Sequence, residues 1–462
     1  MVYDVVSAFK EVVMRLAGPL LAVTMAASVG VLAQAPAATR AGVQTPTFSR
    51  DVVPILQRSC QNCHRPNSIA PMSLLTYDDT RPWARSIKAR TETREMPPWF
   101  VDRTIGINRF KNDISLTDQE IATIGKWVDA GAPRGNPADM PPPAQFPDLT
   151  AWQIPNPDLV VTTDEARVVP ATGPDWWGNI VTADAVTTED RWIKSVEVKP
   201  VQGFKAVHHI VTSIVSPDDP RALADSGDAG GTLSEYSIGK NGDAYDEGTA
   251  RLLPAGSKIN FNVHLHSIGE DTPVKGAIAF HFYPKGYQPK YIMRAHLLGG
   301  DTEQMLDIPA NTDNVRLDTY VGLAFPSVIT QFEPHMHNRG KAMCLEAIYP
   351  PSKQAAFSRN GGTKSEILSC VDRFNFGWVR AYEYADNVAP VVPAGTILHM
   401  ISWHNNSSSN KINYDPTNWI GFGNRTIDDM SHMWLGYYNI SEEEYQQRIA
   451  ARQSHPTEQQ QP

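Results

Sequence analysis

Three pairs of histidines after residue 200 have spacings that suit a metal ion. They are the adjacent pair His208 and His209 and the alternating pairs His264/His266 and His335/His337. Alternate residues of a β-strand share a face, so each alternating pair places two imidazoles side by side, whereas an adjacent pair needs a β-bulge or a strand end before both rings reach one ion. A single pair could equally be two histidines of the core or the surface that bind no metal. Three pairs in one segment favour metal binding.

A second motif, near the start of the chain, has the residues that attach haem. Cys60-Gln-Asn-Cys-His64 is a CxxCH sequence. Its two thiols can add to the vinyl groups of haem while the adjacent imidazole becomes an axial ligand of the iron. The alternatives are a chance match, a disulfide or half of a zinc site, but no second cysteine pair lies nearby to complete a zinc site. We therefore expect one covalent haem c on Cys60, Cys63 and His64.

The iron of a c-type haem usually takes a second axial ligand, commonly a methionine thioether, which raises the potential. Met96 and Met72 are the candidates. Met96 follows a predicted helix over residues 85–93 and precedes two prolines, whose restricted backbone would hold the sulfur in place. Met72 is as easily a core residue. We predict Met96 as the ligand, with Met72 as the alternative.

The residues around the haem motif predict a small helical domain. Ser49 is placed to cap a helix whose apolar positions 52, 53, 55 and 56 lead into Cys60. Further on, Thr117-Asp-Gln-Glu120 is a capping box, and apolar residues at helical spacing follow it until Gly131 ends the helix. This pattern is typical of a small all-α cytochrome.

The rest of the chain predicts β-sheet. A proline-rich connector comes first, and we expect this semi-rigid linker to set the distance between haem and metal. Beyond it, short alternating runs are separated by Gly, Pro and Asn/Asp turns, a pattern typical of β-sandwiches. The predicted strands include residues 207–215, 259–266, 277–283, 343–349 and 397–403.

Length and composition limit the remaining choices. A chain of 462 residues is too long for one core, and a net charge of -9 without a basic cluster argues against nucleic acid as a partner. Lys10 and Arg15 precede an uncharged run from Leu16 to Thr39, which predicts a signal peptide and a periplasmic or secreted protein, with an uncleaved anchor as the alternative. No later stretch is apolar enough to cross a membrane.

The fold class that we predict is therefore multidomain, with an all-α haem domain followed by two all-β domains of the β-sandwich or jelly-roll type. The predicted parts are a signal peptide (1–41), the cytochrome c-like domain (42–140), a proline-rich linker (141–157), two β-sandwiches (158–288 and 289–442) and a polar tail (443–462).

Four segments carry a family resemblance. They are 207–210 (VHHI), 262–266 (NVHLH), 334–337 (PHMH) and 428–431 (DDMS). In the same order, they resemble the copper-site blocks of the ascorbate-dependent monooxygenases that act on peptidylglycine and dopamine, over roughly residues 158–440. Residues 48–133, with APMSLLTYDD, REMPPWF and SLTDQEI, resemble the single-haem domains fused to bacterial homologues of these enzymes.

The resemblance implies a role for each metal residue. His208, His209 and His264 would hold an electron-transfer copper, with His266 as the rival for the third position. The catalytic, oxygen-activating copper would lie on His335, His337 and Met430, where a weak thioether favours Cu(I). The expected reaction is hydroxylation of a C–H bond of a small organic substrate by O2. Electrons would come through the fused haem, from a periplasmic donor or from ascorbate. The alternative is a non-catalytic haem and copper protein that transfers electrons or binds copper.

Departures from the family pattern reduce the range of candidate substrates. Glu333 stands where the peptide-amidating enzyme has the arginine that grips the substrate carboxylate, and His432 and Trp434 replace its asparagine and tyrosine. A carboxylate cannot bind a substrate carboxylate as a guanidinium does, so glycine-extended peptides are poor candidates. The dense disulfide set of the family is also absent. Cys344 and Cys370 remain as one expected bridge, with two free thiols as the alternative.

Overall fold

The computed structural model describes residues 44–66, 68–111, 113–146, 151–217, 232–237, 240, 242–299, 305–350 and 365–454. The predicted signal peptide, residues 1–41, lies outside them. Within these ranges, none of the helices has the length and apolar character that a membrane span requires.

The N-terminal part is helical. Its α-helices are α1 (Val53–Ser59), α2 (Tyr77–Thr80), α3 (Ala84–Glu92) and α4 (Asp118–Asp129). The capping box that precedes α4 is present, because the Thr117 side chain accepts from the Glu120 backbone N–H and the Glu120 side chain accepts from the Thr117 backbone N–H. Gly131 follows the helix with φ +87°, a value that favours glycine. The predicted start and end of this helix are confirmed.

The predicted cap at Ser49 is wrong. A π-helical turn, Phe48–Val52, precedes α1, and Ser49 lies inside this turn. The Ser49 hydroxyl donates to the Arg134 carbonyl oxygen at 2.9 Å, and the Phe48 N–H donates to the Pro133 carbonyl at 3.0 Å. Ser49 therefore joins the two ends of the helical region, a role that depends on a partner 85 residues away and not on the local pattern.

A segment between α3 and α4 leaves the helical region and enters the core of the second β-domain. Its buried side chains are Trp99, Phe100, Val101, Ile107 and Phe110. Three backbone N–H groups of this segment donate to the β-domain: Asp102 to Cys370, Ile107 to Leu368 and Lys111 to Glu383, at 2.7–2.8 Å. The docked segment therefore attaches the helical region to the β-domain, and the expectation that the proline-rich linker sets this distance is corrected.

The regular secondary structure of the remaining chain is mainly β-sheet, as predicted. Strands of the first β-domain are β1 (Leu159–Thr162), β2 (Arg167–Val169), β3 (Trp176–Val181), β4 (Arg191–Gln202), β5 (Val207–Val215), β6 (Thr232–Ser237), β7 (Asp243–Ala244), β8 (Thr249–Leu253), β9 (Lys258–Leu265) and β10 (Thr272–Phe282). Strands of the second are β11 (Tyr291–Leu298), β12 (Val315–Gly322), β13 (Ser327–Met336), β14 (Gly340–Ile348), β15 (Ser365–Val371), β16 (Tyr382–Glu383), β17 (Val391–Val392), β18 (Ile397–His404) and β19 (Ser431–Asn439).

The two β-domains share one large sheet. Its order is β1-β10-β4-β8-β11-β19-β13-β16, and the parallel pairing of β8 with β11 joins the halves. One four-stranded sheet, β3-β9-β5-β6, belongs to the first half, and another, β12-β18-β14-β15, to the second. Each half has its own apolar core. The fold is thus a pair of β-sandwich-like halves whose large sheet is continuous.

Two features of the second half complete the description. Cys344 and Cys370 are register partners on β14 and β15 and form a disulfide, so the predicted bridge is confirmed. The chain after β19 is more than a polar tail, because residues Glu442–Ser454 form a helix, α5. Its Tyr445 is fully buried in the core of the second half. One buried aromatic among charged neighbours left no clear apolar stripe in the sequence.

Candidate metal centre

Strands β5 and β9 bring three histidines together at one end of the first β-domain. His209 is the register partner of His264, and the register shifts between Val207 and His209. This irregularity lies at His208, as expected for an adjacent pair whose rings both turn to one point. Ligand atoms of His208, His209 and His264 all lie within 4.8 Å of one another. We call these residues the first cluster; the rival, His266, does not belong to the group.

The ring nitrogens of the first cluster lie close enough together that they could hold a metal ion. His208 Nδ1 is 3.1 Å from His209 Nδ1. His264 Nε2 is 3.0 Å from a carboxylate oxygen of Asp175, while its buried Nδ1 has no hydrogen-bond partner. A carboxylate on the outer nitrogen of a metal-binding histidine orients the ring, and a metal would satisfy the buried Nδ1. Sequence reasoning missed Asp175, which lies far from the histidines in the chain.

Burial keeps the first cluster in the neutral form that binds metal. Desolvation, assisted by the neighbouring imidazoles, lowers the pKa of His208 to about 4 and that of His209 well below its ordinary value. The ring of Trp177 lies 4.8 Å from that of His209 and 4.7 Å from that of His264, measured between centroids. The Trp177 ring thus packs against two of the imidazoles, whose burial favours their neutral form.

A second group forms where β13 ends and β19 begins. Met336 and Ser431 are register partners. His335 in β13, His337 just after it and Met430 just before β19 therefore come to the same edge of the sheet. The rings of His335 and His337 are 5.5 Å apart between centroids. His337 Nδ1 lies 3.2 Å from the Asp428 carbonyl oxygen, which leaves its Nε2 available as a ligand. We call His335, His337 and Met430 the second cluster.

Asp429 holds the backbone of the second cluster. One of its carboxylate oxygens accepts from the N–H groups of His337 and Met430, each at 2.9 Å, and the other accepts from the Arg339 N–H at 3.0 Å. The carboxylate is fully buried, as is His404, whose Nε2 lies 3.1 Å from the Met430 carbonyl oxygen. Asp429 therefore ties together two strands that each contribute predicted ligands. The segment 428–431, which carries part of the family resemblance, includes Asp429, but the resemblance indicated no role for this residue.

The two clusters are neighbours rather than separate sites. The ring centroids of His209 and His335 are 6.4 Å apart. Phe376 bridges them, stacking on His208 at 5.0 Å and meeting the edge of His337 at 5.2 Å. His432, which departs from the pattern of the enzymes that the sequence resembles, stacks on His335 with ring centroids 4.6 Å apart.

Glu333 is buried and lies two residues before His335 on β13. It faces Glu235 of the first β-domain within hydrogen-bonding reach, and burial together with the charge of Glu333 raises the pKa of Glu235 well above its ordinary value. Burial also raises the pKa of Glu333. One carboxyl oxygen of Glu333 is buried without a hydrogen-bond partner, while the group faces Glu235.

The CxxCH residues lie at the end of α1. Cys60 and Cys63 are not bonded to each other, and burial raises the pKa of the Cys60 thiol to about 12. His64 Nδ1 lies 3.3 Å from the Met72 carbonyl oxygen, so its Nε2 is the nitrogen left for another ligand. Met96 is half-buried and Met72 packs against the helical core.

Comparisons with known proteins do not identify a family. No family model and no curated protein matches the chain. Among solved structures, infectious bursal disease virus of the Gx strain is 9% identical, with a TM-score of 0.17 over 63% of this chain and 80% of the other. The VP2 subviral particle of that virus is 9% identical, with a TM-score of 0.19 over 66% and 76%. Overlaps this weak do not define a shared fold.

Proposed function

We propose that this protein is an exported copper-dependent monooxygenase that hydroxylates a C–H bond of a small organic substrate with dioxygen. The observation that carries the proposal is the meeting of five imidazoles in two adjoining clusters, with Met430 at the strand edge that holds the second cluster. Imidazole suits both oxidation states of copper, and a thioether favours Cu(I). The unpartnered Nδ1 of His264 and the neutral state of the histidines fit a bound metal ion.

Each part of the site has a separate task in this proposal. Copper, when bound, would supply electron storage and the activation of dioxygen, which no side chain provides. Asp175 and Asp429 keep the two ligand sets in place before the metal arrives. Phe376 and Trp177 cover the rings and restrict water. Restricting water protects reactive oxygen species from side reactions.

The helical region fits a covalent haem c. The free thiols of Cys60 and Cys63 are available for thioether bonds, and the Met72 carbonyl orients the His64 ring so that Nε2 is the nitrogen for iron. Met96 would supply the second ligand of the iron, with Met72 as the alternative.

The contacts of Glu333 bear on the substrate. Glu333 carries a carboxyl group, buried and facing Glu235, and therefore offers no cationic anchor for a substrate carboxylate. We therefore propose a small organic substrate other than a glycine-extended peptide. Export is supported by the Cys344–Cys370 disulfide, since such bonds persist in oxidising compartments such as the periplasm.

Dioxygen consumption by the reduced, copper-loaded protein tests the proposed function. With candidate organic substrates present, we expect one hydroxylated product for each O2 consumed, measured with an oxygen electrode and mass spectrometry. Incorporation of one labelled oxygen atom from ¹⁸O2 is the expected signature. Uptake that yields only peroxide, with every substrate tried, would instead favour a non-catalytic electron-transfer or copper-binding protein.

Changing Asp175 to Asn should weaken metal binding at the first cluster. The amide cannot draw the His264 ring into position as the carboxylate does, and loss of such an outer partner costs about 10–100-fold in metal affinity. Competition between the protein and a Cu(I) chelator measures this affinity. Asp158→Asn is the matched control, because Asp158 makes a similar 3.1 Å contact with His281 outside both clusters. Equal affinities of the two variants would contradict the prediction.

A further inference from the structure

A phenylalanine ring lies between the two clusters. Phe376 stacks on His208 of the first cluster, with ring centroids 5.0 Å apart and an interplanar angle of 28°. The same ring meets His337 of the second cluster edge to face, at 5.2 Å and 62°. Phe376 follows β15 of the second β-domain, whereas His208 lies on β5 of the first. Phe376 therefore packs on one imidazole of each cluster, across the boundary between the two β-domains.

The exposure of the side chains shows where the two clusters are open to solvent. Four of the five histidines are buried, and His337 is only 2% exposed. His208 is the half-buried member, and the Phe376 ring that stacks on it is half-buried too. The partly exposed edge that borders both clusters therefore lies at His208 and Phe376.

Phe376 projects from a tight turn. The Trp378 N–H donates to the Asn375 carbonyl oxygen at 2.9 Å, and the Gly377 N–H donates to the Asn375 side-chain oxygen at 3.0 Å. Asparagine commonly makes this second bond, to a backbone N–H two residues on, and thereby stabilises turns. The two bonds hold residues 375–378 in one conformation, with the Phe376 side chain at the tip.

Contacts on either side of the turn attach it to both β-domains. Before the turn, the Phe374 N–H donates to the Lys341 carbonyl oxygen on β14 at 2.9 Å, and the Phe374 ring packs against the core of the second half. After the turn, the Val379 carbonyl oxygen accepts from the Ser237 hydroxyl on β6 at 2.9 Å. Because the backbone is held in this way, the Phe376 ring moves most readily by rotation of its own side chain, a fast motion for a partly exposed residue.

We propose that Phe376 is a specificity-determining residue, whose ring acts as a gate for molecules that approach the second cluster. The ring in its present position covers His337, and rotation toward solvent uncovers it. The space that opens depends on the size of the side chain at position 376, so this residue selects against bulky molecules. The reaction that such a gate serves is that of the proposed function, on which this inference rests, but access to His337 can be measured without metal.

Trp177 provides a comparison within the same site, because its ring packs on His209 and His264, both of the first cluster. Diethyl pyrocarbonate modifies neutral imidazoles that it can reach, so its rate at each histidine measures access. The rates are followed by mass spectrometry of peptides from the full-length protein without added metal. We expect Phe376→Ala to raise the rate at His337 several-fold and to leave that at His264 nearly unchanged. Trp177→Ala should do the reverse.

Selection by size is tested on the full-length protein loaded with Cu(I). Cyanide is a small ligand for this ion and bathocuproine disulfonate is a bulky one, and the copper that remains on the protein after desalting is measured against time. We expect Phe376→Ala to speed removal by the bulky ligand several-fold, Phe376→Leu to do so less and Phe376→Trp to slow it, with little effect on cyanide. Loss of the fold would not produce this graded dependence on side-chain size.

Two results would overturn the gate. One is an equal rate of modification at His337 in the wild type and in Phe376→Ala. The other is equal acceleration of copper removal by the small and the bulky ligand. Phe325→Ala is the matched control, because it removes an exposed phenyl ring outside both clusters and should leave every rate unchanged. A protein that binds no copper would contradict the proposed function, whereas the modification rates at His337 would still decide the gate.

Discussion

Replacing His335 and His337 together by alanine is expected to remove one of two bound copper ions and to abolish hydroxylation. Met430 cannot retain the ion alone, because a single thioether is a weak ligand. The first cluster is built on β5 and β9, so its copper should remain. Quantitative metal analysis gives the copper count, and product formation with ¹⁸O2 gives the activity. Both readouts should change together.

Folding must be monitored in this variant, because both imidazoles are buried and alanine leaves cavities. The haem spectrum and the copper content of the first cluster serve as internal checks. His281→Ala is a suitable control, since His281 lies on β10 and contacts Asp158 outside both clusters. Two copper ions in the double variant would show that the second cluster does not bind metal, whatever its effect on activity.

The second large effect is expected from Cys60→Ala together with Cys63→Ala. Haem in the wild-type protein should survive denaturing electrophoresis, because thioether bonds are covalent, and the double variant should lose all of this haem. Haem staining of the gel measures the result, with protein from a host that matures c-type cytochromes. His64 cannot preserve the haem under these conditions, since an axial bond to iron does not survive denaturation.

The other cysteine pair provides the control for this experiment. Cys344→Ser with Cys370→Ser removes the disulfide, which typically costs about 2–4 kcal/mol of stability, but should leave the haem attached. Haem that persists on the Cys60/Cys63 variant after denaturation would refute the assignment of the CxxCH motif. Loss of haem from both double variants would point to general misfolding. In that case the single Cys63→Ala variant tests the motif, because it should keep one thioether bond and therefore retain haem after denaturation.

Local patterns predicted much of the fold because the interactions behind them are local. The Thr117 capping box depends on residues three apart, and the alternation of β5 and β18 depends on the strand period, so both elements appear in the structure. The adjacent pair His208 and His209 predicted an irregular strand, and the register shift lies there. Ser49 fails as a cap because a distant carbonyl, that of Arg134, binds its hydroxyl.

The sequence by itself determined which residues are suited to haem and metal chemistry, which segments form helices and strands, and which cysteines form the bridge. These depend on residue type and short spacing. Only the tertiary structure decided that the first and second clusters adjoin, that Asp175 and Asp429 position them, and that residues 99–111 attach the helical region to the second β-domain. The reason is physical: such contacts join strands far apart in the chain, and their geometry is set by packing between domains, which no local period encodes.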